Sequence, residues 1–313
     1  MTFEFREPRR EDAPLLIGIS GGSGAGKTFT SCLLARGLAG GDPFALIDTE
    51  NGRALHYADF FPDMRHTHLR EPYSPARYAE AIKAADEQGF NVIVVDSASH
   101  EYEGEGGVLR IQEQEFERLG SRDSAKMLSW IKPKTEHKAY VRQLLQTRAH
   151  VILAMRAEDK IEVVDDPEKP GKKKVIAKPS LIGADGWIPI MEKRLPFEMT
   201  VHLLLTPDVP GVPKPIKLQE QHKPFVPLDR PLDEAVGKQL GEWASGAALA
   251  VAHSPSGLSM PKLLAWIGEA GADKDKLAEI AKRLFPNGTG FKSLTDEQRL
   301  AVRDAYVEEL AHV

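Results

Sequence analysis

Short apolar runs alternate with amphipathic stretches through the first half of the chain. Four of these runs have the length and composition of buried strands, at residues 15–19, 44–48, 91–96 and 151–155. The third run is largely β-branched and shows no polar alternation, as expected where both faces of a parallel sheet are covered. Apolar spacing predicts helices between the runs, at 27–39, 78–88 and 110–148, the last with a break near Lys132 and Pro133. Strands separated by helices predict an α/β fold with a mainly parallel sheet.

The pattern changes after residue 156, where short strands alternate with turns. Residues 160–164 and 173–177 flank a turn containing Pro and Gly, which predicts a protruding β-hairpin. Residues 200–206 and 215–221 predict a second antiparallel pair, appended to the sheet. A helix near 231–244 is expected to close the core.

Three regions are predicted along the chain. Residues 1–244 form the α/β core, and residues 245–258, which are rich in Ala, Gly and Ser, form a linker. Residues 259–313 form a small helical C-terminal domain. Within it, residues 293–297 have the composition of an N-cap region and predict a helix over 296–311.

Composition narrows the class of protein. The chain has 313 residues, of which 42% are hydrophobic and 28% charged, with a net charge of -5. These values are ordinary for a soluble globular protein, and any nucleic-acid contact must come from a local basic patch. The single cysteine, Cys32, excludes an intrachain disulfide and fits the cytoplasm. The absence of a signal segment and of an apolar run of membrane-spanning length leads us to expect no membrane association.

The strongest chemical signal is the stretch Gly21–Thr28, which fits G-x-x-x-x-G-K-[ST]. Glycines allow backbone N–H groups to wrap closely around phosphates. Lys27 supplies positive charge to the β- and γ-phosphates, and the Thr28 hydroxyl can ligate Mg²⁺. A flexible Gly-rich linker is the bland alternative, but the stretch is flanked by a predicted strand and helix. The predicted nucleotide-binding residues of this segment are Gly21, Gly22, Ser23, Gly24, Ala25, Gly26, Lys27, Thr28 and Phe29.

Nucleotide hydrolysis also needs a carboxylate for the metal and a group that activates water. Asp96 ends the strongest strand, so it is expected to hold Mg²⁺ together with Thr28. Glu50 follows the second strand and would reach the γ-phosphate if that strand lies beside the phosphate-loop strand. Alternatives for the water-activating acid are Glu101, Glu103 and Asp48, and Glu50 could also be a solvated loop acid.

Three further side chains have two interpretations each. Arg156 ends the fourth strand, where it could sense the γ-phosphate or form a surface salt bridge. Tyr57 could stack on adenine or pack in the core. Trp187 could stack on a nucleic-acid base or anchor the core.

Two basic segments are candidates for nucleic-acid contact. The first contains Lys172, Lys173, Lys174 and Lys178, and could track a phosphate backbone or be a solvated turn of mixed charge. The second is predicted to be one solvated face of a helix, formed by Lys132, Lys134, His137, Lys138 and Arg142.

Taken together, these segments resemble the RecA-like recombinase ATPases. The resemblance rests on Gly21–Thr28, on Ala45-Leu46-Ile47-Asp48-Thr49-Glu50 and on Val92-Ile93-Val94-Val95-Asp96-Ser97, in the family's order. It implies a RecA-like P-loop NTPase core, with Glu50 activating water and Tyr57 packing on adenine. It places a γ-phosphate sensor, usually glutamine, at Arg156, and it implies ATP and Mg²⁺ as cofactors.

The resemblance also implies partners. The family's loop after the fourth strand binds single-stranded DNA, which here would involve Lys172, Lys173, Lys174 and Lys178. Its terminal hairpin offers basic residues to the neighbouring subunit's nucleotide, near His222 and Lys223. This implies a homo-oligomer, either a ring or a filament.

The likeness is greatest to short phage-encoded members, on the stretch Ser99-His100-Glu101-Tyr102-Glu103-Gly104. Such proteins are associated with single-strand annealing and phage recombination. They imply a phage single-strand-binding or replication protein as a partner, in the cytoplasm of a bacterial host. Two other functions stay open: a non-catalytic nucleotide switch or scaffold, and a small-molecule kinase with residues 157–190 as its lid. The lid lacks the arginines that usually contact phosphates.

Overall fold

A computed structural model describes residues 14–165, 173–177, 186–246, 260, 263–264, 266–267, 272–285 and 293–311. The chain divides into two compact units, Met1–Ala248 and Leu249–Val313. Across the described residues, none of the helices combines the length and apolar character that crossing a bilayer requires.

The larger unit is built on a mostly parallel eight-stranded sheet. Its strands are β1 (Leu16–Gly21), β2 (Phe44–Asp48), β3 (Met64–His68), β4 (Val92–Asp96), β5 (His150–Asp159), β8 (Trp187–Pro189), β9 (Val201–Leu205) and β10 (Pro213–Leu218). The order across the sheet is β10-β9-β1-β5-β4-β2-β3, and β8 pairs with the end of β5. A separate antiparallel pair consists of β6 (Ile161–Asp165) and β7 (Lys173–Ala177). The predicted mainly parallel α/β fold of a P-loop NTPase core is therefore confirmed.

Helices cover both faces of this sheet. They are α1 (Lys27–Ala39), α2 (Pro75–Glu87), α3 (His100–Glu103), α4 (Val108–Arg118), α5 (Ile131–Gln146), α6 (Leu195–Glu198) and α7 (Glu234–Ala244). One apolar core includes buried side chains of α1 and α7, and a second includes those of α2 and α5. Because both faces are covered, all five residues in each of the strands β2, β4 and β9 are buried. Their nearly continuous apolar runs are typical of such strands.

Four details differ from the sequence-based expectations. The strand β3 was missed because it lies at the sheet edge and only Met64 and Leu69 around it are buried. The helical stretch 110–148 breaks between α4 and α5, not near Pro133, because proline in a first helical turn removes no helical hydrogen bond. The run 200–206 is not merely part of an appended pair, since β9 lies parallel to β1 inside the sheet. Finally, β2 does not lie beside β1, because β5 and β4 separate them.

Two glycines let α7 lie directly against α1. A Cβ atom on Gly37 would come within 2.0 Å of the Glu234 carbonyl oxygen, and one on Gly237 within 2.2 Å of the Leu34 carbonyl oxygen. These are backbone atoms, so a side chain could be accepted only by separating the helices. The contact therefore fixes how closely α7 approaches the helix that follows the phosphate loop.

We expect the substitution Gly237→Ala to lower the free energy of unfolding by about 1–3 kcal/mol, the usual cost of overpacking. Gly241→Ala on the same helix is the matched control, because its Cβ would lie 3.2 Å from the Leu38 carbonyl oxygen. Both changes gain the same helix propensity. Denaturant unfolding followed by circular dichroism measures the difference, and equal midpoints for the two variants would contradict the tight helix contact.

The smaller unit contains α8 (Lys274–Leu284) and α9 (Asp296–Ala311). Leu277, Ile280 and Val302 are buried in its apolar cluster. The predicted cap is present as a reciprocal pair: the Thr295 N–H donates to Gln298 Oε1 at 2.9 Å, and the Gln298 N–H donates to Thr295 Oγ1 at 3.2 Å.

Candidate nucleotide-binding site

The phosphate loop joins the end of β1 to the start of α1. Gly24 and Gly26 adopt left-handed φ angles of 78° and 85°, which glycine accepts without strain. Gly26 caps α1 without any side-chain hydrogen bond to the helix N-terminus. Such a terminus leaves backbone N–H groups for an anion, and the helix dipole favours negative charge there.

Lys27, the first residue of α1, folds back over this loop. Its Nζ donates to the Gly22 carbonyl oxygen at 2.9 Å. Burial lowers the pKa of the Lys27 ammonium, while the nearby carboxylates of Asp96 and Glu50 act in the opposite direction. The ammonium is therefore held at the loop by a carbonyl that a phosphate group can replace.

Thr28 and Asp96 meet directly, although 68 residues separate them. Thr28 Oγ1 donates to Asp96 Oδ2 at 2.5 Å, and Asp96 is 4% exposed. Burial raises the pKa of Asp96 to about 6, against the Thr28 hydrogen bond, which lowers it. A hydroxyl and a carboxylate are the hard oxygen donors that Mg²⁺ prefers, so these two predicted residues fit a magnesium ion.

Two arginines hold the carboxylate of Glu50: Arg156, which lies within β5 and does not end it as expected, and Arg53, which follows β2. Arg156 donates to Glu50 Oε1 through Nε at 3.1 Å and Nη2 at 2.9 Å, and Arg53 donates to Oε2 through Nη1 at 3.0 Å. Partial burial acts to raise the pKa of Glu50, but the hydrogen bonds from Arg156 and Arg53 outweigh it and lower the pKa. The predicted water-activating acid and the predicted sensor are thus bonded to each other.

These observations agree with a sequence comparison. A family model for the AAA domain matches residues 13–193, more than half of the 313 residues. The chain belongs to the AAA domain family. This family consists in general of P-loop ATPases, so the chain is a nucleotide-binding P-loop protein. No match is found among curated proteins.

The other candidate acids of the AAA domain have different surroundings. Asp48 is buried and accepts from the Glu50 N–H at 2.6 Å and the Ala54 N–H at 3.2 Å, so it shapes the loop after β2. Glu101 is buried and its Oε1 lies 2.9 Å from His137 Nδ1. None of these partners belongs to the phosphate loop, whereas Glu103 Oε1 lies 3.7 Å from Arg156 Nη1.

His137 is therefore not part of a solvated basic face, which corrects the sequence-based interpretation of that helix. It is 6% exposed because it lies on the buried face of α5, where its ring meets Glu101. Burial acts to lower the pKa of His137, but its hydrogen bond to Glu101 raises the pKa overall. The lysines and arginine around it stay on the helix surface or at its margin.

A polar cavity of about 690 Å³ opens beside the Glu50 loop. Its walls include Glu50, Arg53, His100, Glu103 and Arg156. Lys27 and Asp96 are not among its lining residues, yet the charges of Asp96, Glu50 and Arg156 all act on Lys27. The cavity therefore adjoins the phosphate loop and does not contain it.

Phe29 and Tyr57 lie together at the margin of the core. Their ring centroids are 5.4 Å apart, and Phe29 also contacts Phe60 and Phe61 at 5.9 and 5.4 Å. Both side chains are half-buried. Tyr57 thus has a packing role in the AAA domain, and its contact with adenine stays a prediction.

Of the two interpretations of Trp187, stacking on a base or packing in the core, the structure supports packing. A Cβ on Gly22 would lie 2.7 Å from the Trp187 ring, so the indole covers the phosphate loop. The ring also packs with Ala157 and Leu204. Trp187 is thus a packing residue against the loop, and no local sequence signal could have linked positions 22 and 187.

Two of the four predicted DNA-contacting lysines, Lys173 and Lys174, lie in the β6–β7 pair. Lys173 is exposed at the start of β7, and Lys174 follows it in the strand. Lys172 and Lys178 lie outside the described residues.

The predicted contact of His222 with a neighbouring subunit's nucleotide stays a prediction, and the surroundings of His222 within this chain do not favour it. Its side chain is fully buried, with its ring centroid 4.5 Å from that of Trp243. Neither of its ring nitrogens has a hydrogen-bond partner among the described residues. The adjacent Lys223 is exposed and pairs with Glu220, so only it has access to solvent.

Proposed function

We propose that this AAA domain protein is a Mg²⁺-dependent, RecA-like ATPase that acts on single-stranded DNA in recombination or annealing. The observation that carries the proposal is the Glu50–Arg156 pair at the carboxyl edge of the sheet. Arg156 lies on β5, which runs into the β6–β7 pair with its lysines. One strand therefore joins the γ-phosphate region to the proposed DNA-contacting segment.

The proposed reaction assigns a role to each of these side chains. Lys27 and the loop N–H groups bind the phosphates, and Thr28 and Asp96 would hold a Mg²⁺ ion, which would supply neutralisation of phosphate charge. The oxygen of a water molecule attacks the γ-phosphorus, and the bond from that phosphorus to the β–γ bridging oxygen breaks. Glu50 accepts the proton of the attacking water, and the products are ADP and inorganic phosphate.

Arg156 gives this reaction a switch. A guanidinium group binds phosphate as well as carboxylate, in the same forked geometry. A γ-phosphate would compete with Glu50 for Arg156, and Oε1 of Glu50 would then be free to orient water while Arg53 still holds Oε2. Because β5 also carries the β6–β7 pair, the same exchange links nucleotide state to DNA contact.

The proposed assembly is a homo-oligomer, either a ring or a filament, with a phage single-strand-binding or replication protein as a further partner. The likeness in sequence to the RecA-like recombinases supports it. Measuring the mass of the assembly by light scattering, with and without ATP, tests the oligomer.

We expect ATP turnover to rise severalfold when single-stranded DNA is added, because DNA bound at the β6–β7 pair would act on Arg156 through β5. The substitution Lys173→Glu should weaken DNA binding in a low-salt gel-shift, since charge reversal repels phosphates. Lys83→Glu on α2 is the matched control, an exposed lysine outside the hairpin. No shift at low salt with a non-hydrolysable ATP analogue would contradict the DNA proposal.

The same assay separates two other functions. A nucleotide switch would bind ATP without steady turnover. A small-molecule kinase would transfer phosphate to a metabolite instead of water, although the segment 157–190 contains no arginine to act as a lid.

A further inference from the structure

A group of potential metal ligands lies at the sheet edge, beyond the Glu50 loop. The alternation of side chains along β3 puts His66 and His68 on the same face of the strand. The neighbouring strand β2 runs parallel, with Asp48 directly opposite His68 in the register. One ligand atom from each of these three residues lies within 4.8 Å of the other two.

The three side chains already contact one another. His66 Nε2 lies 3.1 Å from Asp48 Oδ2, and the rings of His66 and His68 meet edge to face, with centroids 4.6 Å apart. Asp48 is 1% exposed, His66 is half-buried and His68 is exposed. The group therefore has a buried anionic base and one side open to solvent, through which an ion and its water can enter.

The carboxylate of Asp48 is held in a fixed orientation. Its Oδ1 accepts from the Glu50 N–H at 2.6 Å, and its Oδ2 accepts from the Ala54 N–H at 3.2 Å. Outer hydrogen bonds of this kind orient metal-binding carboxylates and strengthen binding. The ring of His68 also lies close to Gly52, where an added Cβ would come within 3.2 Å of His68 Cε1.

We propose that Asp48, His66 and His68 form a binding site for a divalent transition metal, with Zn²⁺ as the best-fitting ion. Two imidazoles, one carboxylate and a water make a tetrahedral set of the kind that zinc takes. Ligand atoms around zinc lie about 3.3 Å apart, given bonds of roughly 2.0–2.1 Å. Small side-chain rotations would bring the three groups to that spacing.

This site differs from the nucleotide's magnesium site in its chemistry. Mg²⁺ selects oxygen ligands, whereas imidazole nitrogen suits zinc, cobalt, nickel and copper. The two sites are nevertheless connected, since Asp48 bonds to the backbone of Glu50. A metal ion here would stiffen the loop that carries the proposed water-activating acid.

Cobalt binding tests the site directly. The EDTA-treated, full-length protein is titrated with Co²⁺ in excess Mg²⁺, and the visible absorption of bound Co²⁺ is followed, with Zn²⁺ added as a competitor. We expect saturation at one ion per chain and displacement by Zn²⁺. The substitution His68→Asn should weaken Co²⁺ binding by more than about 10–100-fold. That range is the usual loss when only an outer hydrogen-bond partner of a metal ligand is removed, whereas His68 is proposed as a direct ligand.

His56→Asn is the control, since His56 is an exposed histidine that does not belong to the group. It should leave Co²⁺ binding unchanged. Zn²⁺ should also raise the melting temperature of the wild type by a few degrees but not that of His68→Asn, because ligands stabilise the state that binds them. Equal Co²⁺ affinity in wild type and His68→Asn, or no saturable binding at all, would overturn the proposal. Neither measurement involves ATP, so the result is independent of the proposed ATPase activity.

Discussion

Substituting Lys27 with alanine is expected to weaken ATP binding by roughly 10–100-fold and to reduce turnover by roughly 10²–10³-fold. The first effect is the loss of a charge-assisted hydrogen bond, about 1.5–3 kcal/mol. The second is the loss of a cation placed where negative charge develops in the transition state. Because Lys27 bonds only to the Gly22 carbonyl oxygen in the described structure, its removal leaves the fold intact.

Binding of a fluorescent ATP analogue and release of phosphate measure the two effects separately. Lys83→Ala provides the control, because Lys83 is an exposed lysine on α2 that pairs with Glu87 at 3.6 Å. Its ATP affinity and turnover should match those of the wild type. Undiminished turnover in Lys27→Ala would show that the phosphate loop takes no part in the reaction, and it would contradict the proposed ATPase mechanism.

Substituting Glu50 with glutamine is expected to reduce hydrolysis by roughly 10²–10⁴-fold, the usual contribution of a general base. ATP binding should not weaken, and should tighten slightly. The reason is that Arg53 and Arg156 lose the carboxylate that they share and gain attraction for the triphosphate. Opposite directions for binding and hydrolysis distinguish this variant from Lys27→Ala.

Single-turnover hydrolysis beside equilibrium ATP binding measures this variant. Glu103→Gln is the matched comparison, because Glu103 also lies near Arg156, at 3.7 Å, and lines the same cavity. It should retain most of the wild-type rate. If Glu103→Gln loses hydrolysis while Glu50→Gln keeps it, water activation belongs to Glu103 instead.

The sequence predicted the central strands and the phosphate loop well, because their signals are local. The run Val92–Asp96 begins with four consecutive β-branched apolar residues, a pattern that predicts a strand covered on both faces. The glycine spacing of the loop similarly requires close approach to a phosphate. The edge strand β3 lacked such a signal, since its sequence Met-Arg-His-Thr-His is mostly polar and only its neighbours make it a strand.

Contacts between residues that are far apart in the chain could not be predicted from the sequence pattern. Glu50 and Arg156 are 106 residues apart in the sequence. The order of strands in the sheet brings the end of β2, which Glu50 follows, to the same edge as Arg156 in β5. The burial of His222 against Trp243 likewise depends on where α7 packs. A histidine among polar neighbours is predicted to lie on the surface, and only the packing of α7 shows that His222 is buried.

The indole of Trp187 limits how the phosphate loop can move. It occupies the space above Gly22, and it is carried by β8, which pairs with Ala157–Asp159 at the end of β5. A displacement of Gly22 toward the indole would require β8 to shift, and β8 is paired with the end of the strand that leads into the β6–β7 pair. Trp187 thus couples the position of the phosphate loop sterically to the end of β5.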